Sequence, residues 1–79
     1  MRVSVLVRPK EGILDPQGEA VEGSLRKLGF PVSEARVGRV VDLQVDSNDA
    51  HEARTKVEEM CRKLLANPLI ESYEISLHE

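Results

Sequence analysis

An α+β fold is what the 79-residue sequence predicts, and three features carry that expectation. Residues 2–8 alternate apolar and polar side chains in period two, and two later stretches, 16–28 and 49–64, carry apolar residues at helical spacing. The segments on either side of the second stretch return to period two. A chain this short holds one folded unit rather than separate cofactor and substrate lobes, so residues 1–79 are expected to form a single domain.

Each element has its own justification. In the first strand Val3, Val5 and Val7 share one face and Ser4, Leu6 and Arg8 the other, a half-buried pattern rich in β-branched residues. Residues 9–14 (PKEGIL) then form a connection longer than most in so small a domain. Asp15 offers a side-chain oxygen to the free amides of a helix start, and Pro16 falls at the first helical position, where no amide hydrogen is required. Ala20, Val21, Ser24, Leu25 and Leu28 make the predicted buried stripe of that helix, Glu22 and Arg26 lie on its solvent side, and Gly29 can end it in the left-handed conformation.

From 32 to 46 the pattern is again period two, with Ala35, Val37, Val41, Leu43 and Val45 in one parity that Arg39 interrupts beside Gly38. Gly38 marks a tight hairpin or a bulge in one long strand. The hairpin is preferred, because strands joined only by crossover helices would be parallel and apolar on both faces, whereas the opposite parity here carries Glu34, Arg36, Asp42 and Gln44. Asp46, Ser47, Asn48 and Asp49 are a run of capping residues, and Asp49 with Glu52 has capping-box-like spacing. The second helix has the stripe Ala50, Ala53, Val57, Met60, Cys61 and Leu64, with favourable i,i+4 pairs at Glu52/Lys56, Glu58/Arg62 and Glu59/Lys63. Asn67-Pro68 stops it, and a last strand near 69–77 places Tyr73, Ile75 and Leu77 on one side.

Strand, helix, strand, strand, helix, strand is the split β-α-β plan of ferredoxin-like domains, an antiparallel sheet with two helices on one face. The other face, with Leu6, Val32 and Val40 among polar residues, is expected to serve association. A domain this small buries a modest share of its surface, so self-association would help stabilise it. Even-order symmetry is the default, giving a homodimer able to pair again into a tetramer.

Composition removes several classes of function. A net charge of −3 and only two aromatic residues, Phe30 and Tyr73, argue against a nucleic-acid binder. No apolar run approaches the roughly 20 residues of a membrane span. The strand pattern starts within three residues of Met1, leaving no room for a signal sequence, so the expected location is the cytoplasm. A lone cysteine excludes an internal disulfide and a cysteine-based zinc cluster.

Catalytic groupings are equally scarce. His51 and His78 have no second ligand or nucleophile placed near them by spacing, and both are expected at the surface. Cys61 lies on an apolar helical stripe with no histidine nearby to activate it, which is the pattern of a small core residue. Glu58 and Glu59 are about 100° apart on a helix, each with a basic residue four positions on, so they form a solvated face rather than an acid pair. Gly12 and Gly18 fit neither phosphate-loop spacing. The 8–17 loop is the unusual feature: it is either a rigid connection or a functional loop.

Three stretches, VRPKEGILDPQGEAVEGSLRKLGF, VSEARVGRVVDLQV and MCRKLLANPLIESYEI, resemble the PurS family, the small subunit of phosphoribosylformylglycinamidine synthase. The most specific parts are LDPQG after a PK-x-G loop and MC-x-KLLANP-x-I-E-x-Y near the end. The resemblance covers nearly the whole chain and implies a non-catalytic component of a glutamine-dependent, ATP-consuming C–N ligase in purine biosynthesis. In that complex a PurQ-type glutaminase releases ammonia, and a PurL-type synthetase uses ATP and magnesium to activate the amide oxygen of formylglycinamide ribonucleotide. Ammonia then displaces phosphate to give the amidine, and the PurS-like subunit bridges the two enzymes.

The resemblance implies no cofactor, metal or catalytic residue in this chain. Pro9, Lys10, Gly12, Asp15, Pro16, Gln17 and Gly18 match its first motif, and Asn67, Pro68, Glu71 and Tyr73 its second. Of the residues there, Arg8, Lys10, Gln17 and Tyr73 are expected to contact partners, because capping and core packing do not account for their polar groups. The alternative is an ACT-type amino-acid-sensing module, also ferredoxin-like, whose first loop resembles Pro-x-x-Gly-Ile-Leu. An acylphosphatase-like enzyme is set aside for want of the glycine-rich loop and its following arginine.

Overall fold

Residues 1–78 are described by the computed structural model. Strand β1 (Arg2–Pro9) is central, paired antiparallel with β2 (Arg39–Gln44) on one side and β3 (Glu71–His78) on the other. Register follows the predicted parity: Val3 faces Leu43 and Leu77, Val5 faces Val41 and Ile75, and Val7 faces Arg39 and Tyr73. Valine at alternate positions therefore turns one face of β1 entirely inward, and all three valines are buried.

Helix α2 (Ala50–Met60) covers that face. Asp49 caps it by accepting from the His51 amide at 3.0 Å, and Ala53, Val57 and Cys61 are fully buried against the sheet. Glu52/Lys56 and Glu59/Lys63 form the predicted ion pairs at 2.9 and 2.7 Å. The helix then widens into a π-helical turn, Cys61–Leu65. One extra residue in that turn rotates the chain relative to the α-helical pattern, so Ala66 is buried while Leu64, predicted inside, is exposed. The core comprises Val3, Val5, Val7, Val45, Ala53, Val57, Cys61 and Ala66, edged by Tyr73, Ile75, Leu77 and others.

Helix α1 (Pro16–Lys27) starts where expected: Asp15 accepts from the Gly18 amide at 3.1 Å, Pro16 sits at the first position, and Gly29 takes φ +96° beyond the end. Its stripe does not reach the core. Val21 and Leu28 are exposed, Leu25 is half-buried, and Gly18 is its one buried residue. The α+β class with two helices and an antiparallel sheet holds, but only α2 lies against the sheet within one chain. The radius of gyration is 15.7 Å, with extents of 48 × 26 × 14 Å, against about 12 Å for a compact chain of this length.

The predicted hairpin is the second correction. Only Arg39–Gln44 form a strand, so the sheet has three strands and not four. Residues 32–37 run back along α1, where side chains satisfy their backbone. Val37 N–H donates to Asp15 Oδ2 at 2.8 Å, Ala35 N–H to Glu22 Oε1 at 3.2 Å, and Arg26 Nε donates to the Val32 carbonyl at 2.8 Å. Residues of α1 read as solvent-facing thus hold the return segment, and period-two alternation there reflects an extended segment without strand partners. Gly18 and Gly38 permit the close passages: a Cβ on either would lie 2.3 Å from the Ala35 carbonyl oxygen or 2.4 Å from that of Val7. Val32, accordingly, is not on the uncovered sheet face, which presents Leu6 and Val40 beside a polar cluster in which Ser4 Oγ donates to Asp42 Oδ1 at 2.6 Å.

Candidate functional site

The two motifs singled out in the sequence meet at one end of the sheet. Lys10 N–H donates to the Ile70 carbonyl at 2.9 Å and Lys10 Nζ to the Pro68 carbonyl at 2.7 Å, joining the loop after β1 to the loop after α2 across 58 positions. Arg36, from the return segment, donates to the carbonyls of Pro9 and Lys10. Asn67 organises its own turn: its side-chain oxygen accepts from the Leu69 amide at 3.1 Å and its carbonyl from those of Ile70 and Glu71.

A second clasp closes the same end of the core. Arg39 grips Glu71 through two bonds, at 2.6 and 3.1 Å, and also donates to the Leu65 carbonyl at 2.6 Å, while Glu71 accepts from the Asn67 amide at 2.8 Å. The Arg39 guanidinium and then the Asn67 amide hold the Glu71 carboxyl below its ordinary value, and Glu71 in turn raises Arg39. On the other side of the loop, the Val37 and Gly18 amides, helped by the Arg36 charge, hold the Asp15 carboxyl low. Three segments distant in sequence are therefore tied together by side-chain to backbone bonds.

The four predicted contact residues are placed differently from one another. Arg8 is exposed on the uncovered face of β1, where its backbone pairs with β3 and its side chain has no hydrogen-bond or ion-pair partner among the described residues. Lys10 is exposed but its ammonium is engaged by Pro68. Gln17 is exposed in the first turn of α1. Tyr73 is half-buried opposite Val7 and packs against the core, so its ring has a packing role in addition to any contact. These residues border one end of the molecule without converging on a point. Arg36, Arg39 and Glu71 were missed as the organisers of that end. The signals available were Arg39's intrusion into an apolar parity and Glu71's place in the second motif.

Chemistry within the chain is limited. Burial, and then the Glu58 charge, push the Cys61 thiol up, away from the reactive thiolate. His78 Nε2 lies 3.1 Å from Ser4 Oγ on the exposed face, and Ser4 already bonds Asp42, an arrangement that leaves the hydroxyl between two polar partners in solvent. Among the described residues no group of three or more His, Cys, Asp or Glu side chains is arranged to hold a metal ion, and no helix is long and apolar enough to cross a membrane.

Comparison with known proteins decides the family. The family model described as "PurS: Phosphoribosylformylglycinamidine (FGAM) synthase" matches residues 2–79. The chain belongs to the PurS family. It is 35% identical over 79 residues to phosphoribosylformylglycinamidine synthase subunit PurS of Methanocaldococcus jannaschii, covering 99% of this chain and 95% of that protein. The structure of Bacillus subtilis PurS superposes with a TM-score of 0.87 at 39% identity, covering 99% of this chain and 98% of the other. A chain in the structure of PurLQS from Thermotoga maritima gives a TM-score of 0.87 at 33% identity, with 95% and 93% coverage. PurS membership supports the ferredoxin-like reading of the three-stranded sheet, and it displaces the amino-acid-sensing alternative.

Proposed function

We propose that this PurS-family chain acts as a single domain, residues 1–79, that bridges a PurL-type synthetase and a PurQ-type glutaminase in the cytoplasm. The observation that carries the reading is its likeness along nearly its full length to a chain of the Thermotoga maritima PurLQS structure. ATP and magnesium act at the synthetase subunit, and this chain contributes no reacting group. Its role follows from the chemistry of the transferred nitrogen. Ammonia released into water is diluted and largely protonated, losing the lone pair that attacks the activated amide, whereas docked subunits keep it confined and neutral.

Arg8, Lys10, Gln17 and Tyr73 border the docking end. The contact is made by a surface pre-organised by the Lys10–Pro68 and Arg39–Glu71 bonds, which lowers the ordering cost of association. Self-association is part of the same reading. The exposed α1 stripe, with Leu28 at 74% exposure, is apolar surface that another copy of the chain would cover, giving a homodimer that pairs again into a tetramer. Mixing the chain with purified PurL-type and PurQ-type subunits should yield a single species containing all three by size-exclusion chromatography with light scattering. Recovery of PurL and PurQ together without this chain, and no binding of the chain to either, would contradict the bridge.

A further inference from the structure

Where β1 meets the return segment, Leu6, Arg8, Glu34, Arg36, Arg39 and Val40 line one open depression. Arg8 and Arg36 accompany one carboxylate, Glu34, there, on a chain whose overall charge is −3, while Arg39, paired with inward-facing Val7, sends its side chain to the helix-covered face. Of the two guanidiniums, Arg36 is already committed to the Pro9 and Lys10 carbonyls. Arg8 alone keeps its whole fork of donors free among the described residues. Its stem runs beside Gly38, where a Cβ would come within 3.3 Å of Arg8 Cγ, so the glycine keeps that path open. Leu6 and Val40 supply an apolar floor, with Val40 60% exposed. Glu34, at the rim, is the non-glycine residue with a left-handed backbone, φ +55°, a conformation that recurs where local structure serves a contact.

We infer that this depression receives an acidic side chain, with an apolar neighbour, from a partner subunit of the synthase complex; the inference rests on the bridging role proposed above. A carboxylate matches the planar fork of Arg8 through two parallel bonds, within the positive field of Arg36. The apolar neighbour covers Leu6 and Val40. A phosphate dianion fits less well, because Glu34 repels it and the Arg36 guanidinium is occupied. The same depression on a second copy is excluded as occupant by charge, since a two-fold contact would set Arg8 and Arg36 against their own counterparts.

The test is assembly of the full chain with PurL-type and PurQ-type subunits, comparing wild type, Arg8→Lys and Arg8→Glu at low and high salt. Arg8→Glu should weaken assembly by about tenfold or more, and Arg8→Lys by less, with both differences shrinking as salt screens the charges. The isolated Arg8→Glu chain should keep its circular dichroism and its oligomeric state. Unchanged assembly by Arg8→Glu would overturn the inference while leaving the bridge intact. So would an altered oligomeric state of that variant alone, which would make the depression a contact between copies. Binding of inorganic phosphate to the isolated chain that Arg8→Glu abolishes would instead make it a small-anion site. Failure of the wild-type chain to assemble would overturn the bridge itself, and this inference with it.

Discussion

Replacing Gly18 with alanine tests how α1 is held. Glycine to alanine within a helix ordinarily stabilises, by up to about 1 kcal/mol. Here the new Cβ would lie 2.3 Å from the Ala35 carbonyl oxygen and 2.7 Å from Asp15 Oδ2, where ordinary contact begins at 3.4 Å. The return segment must retreat by about 1 Å, enough to break the Val37–Asp15 and Ala35–Glu22 bonds of 2.8 and 3.2 Å. Overpacking of this kind costs about 1–3 kcal/mol, which outweighs the propensity gain and reverses the sign. Gly23, in the same helix, has nothing within 4 Å of its would-be Cβ and serves as the control. Thermal unfolding at fixed protein concentration should show Gly18→Ala melting lower, by roughly 4–8 °C per kcal/mol, and Gly23→Ala unchanged or higher. Hydrogen exchange should show the α1 amides opening more readily in Gly18→Ala. If both variants melt higher, the return segment does not lie against α1.

Other perturbations reach other parts of the account. Val57→Ala removes two methyl groups from a fully buried site and should lower unfolding stability by about 2–3 kcal/mol in urea denaturation; a loss below about 0.5 kcal/mol would mean that α2 does not seal the sheet. Because Glu71 has a lowered folded-state pKa, its contribution to stability is present above the ordinary glutamate value and is lost as pH falls through the lowered one. Acid titration should therefore destabilise wild type more steeply over that interval than Glu71→Gln, and parallel curves would remove the Arg39 clasp as the cause. Lys10→Glu should leave the isolated chain folded by circular dichroism and weaken its assembly with the partner subunits; binding equal to wild type would strike Lys10 from the docking end. Leu28→Asp should shift the isolated chain toward smaller species in sedimentation velocity, and an unchanged distribution would show that no copy covers the α1 stripe.

Local chemistry made much of this fold readable. Asp15 before Pro16 announced the start of α1, Gly29 its end, and the alternating valines the inward face of β1. What escaped were partnerships over long separations. One Asp15 oxygen caps α1 as a local rule demands, but the other accepts from Val37, 22 positions on, and no periodicity reveals that bond. The alternation in 32–37 therefore looked like a strand, when side chains of α1, not a neighbouring strand, satisfy its backbone. The apolar stripe of α1 was expected to be buried and is largely exposed instead. Its expected cover was the chain's own sheet, because sequence spacing says that a face is apolar and not what it meets. At the candidate site, the order of the motifs was legible, while their meeting through Lys10 and Pro68 required the fold.

The central claim is that the chain confines nitrogen transfer rather than performing it, and nitrogen source separates the two. PurL-type and PurQ-type subunits should form the amidine from free ammonia whether or not the chain is present, yet need it to do so efficiently from glutamine. Equal glutamine-driven rates with and without the chain would contradict the account.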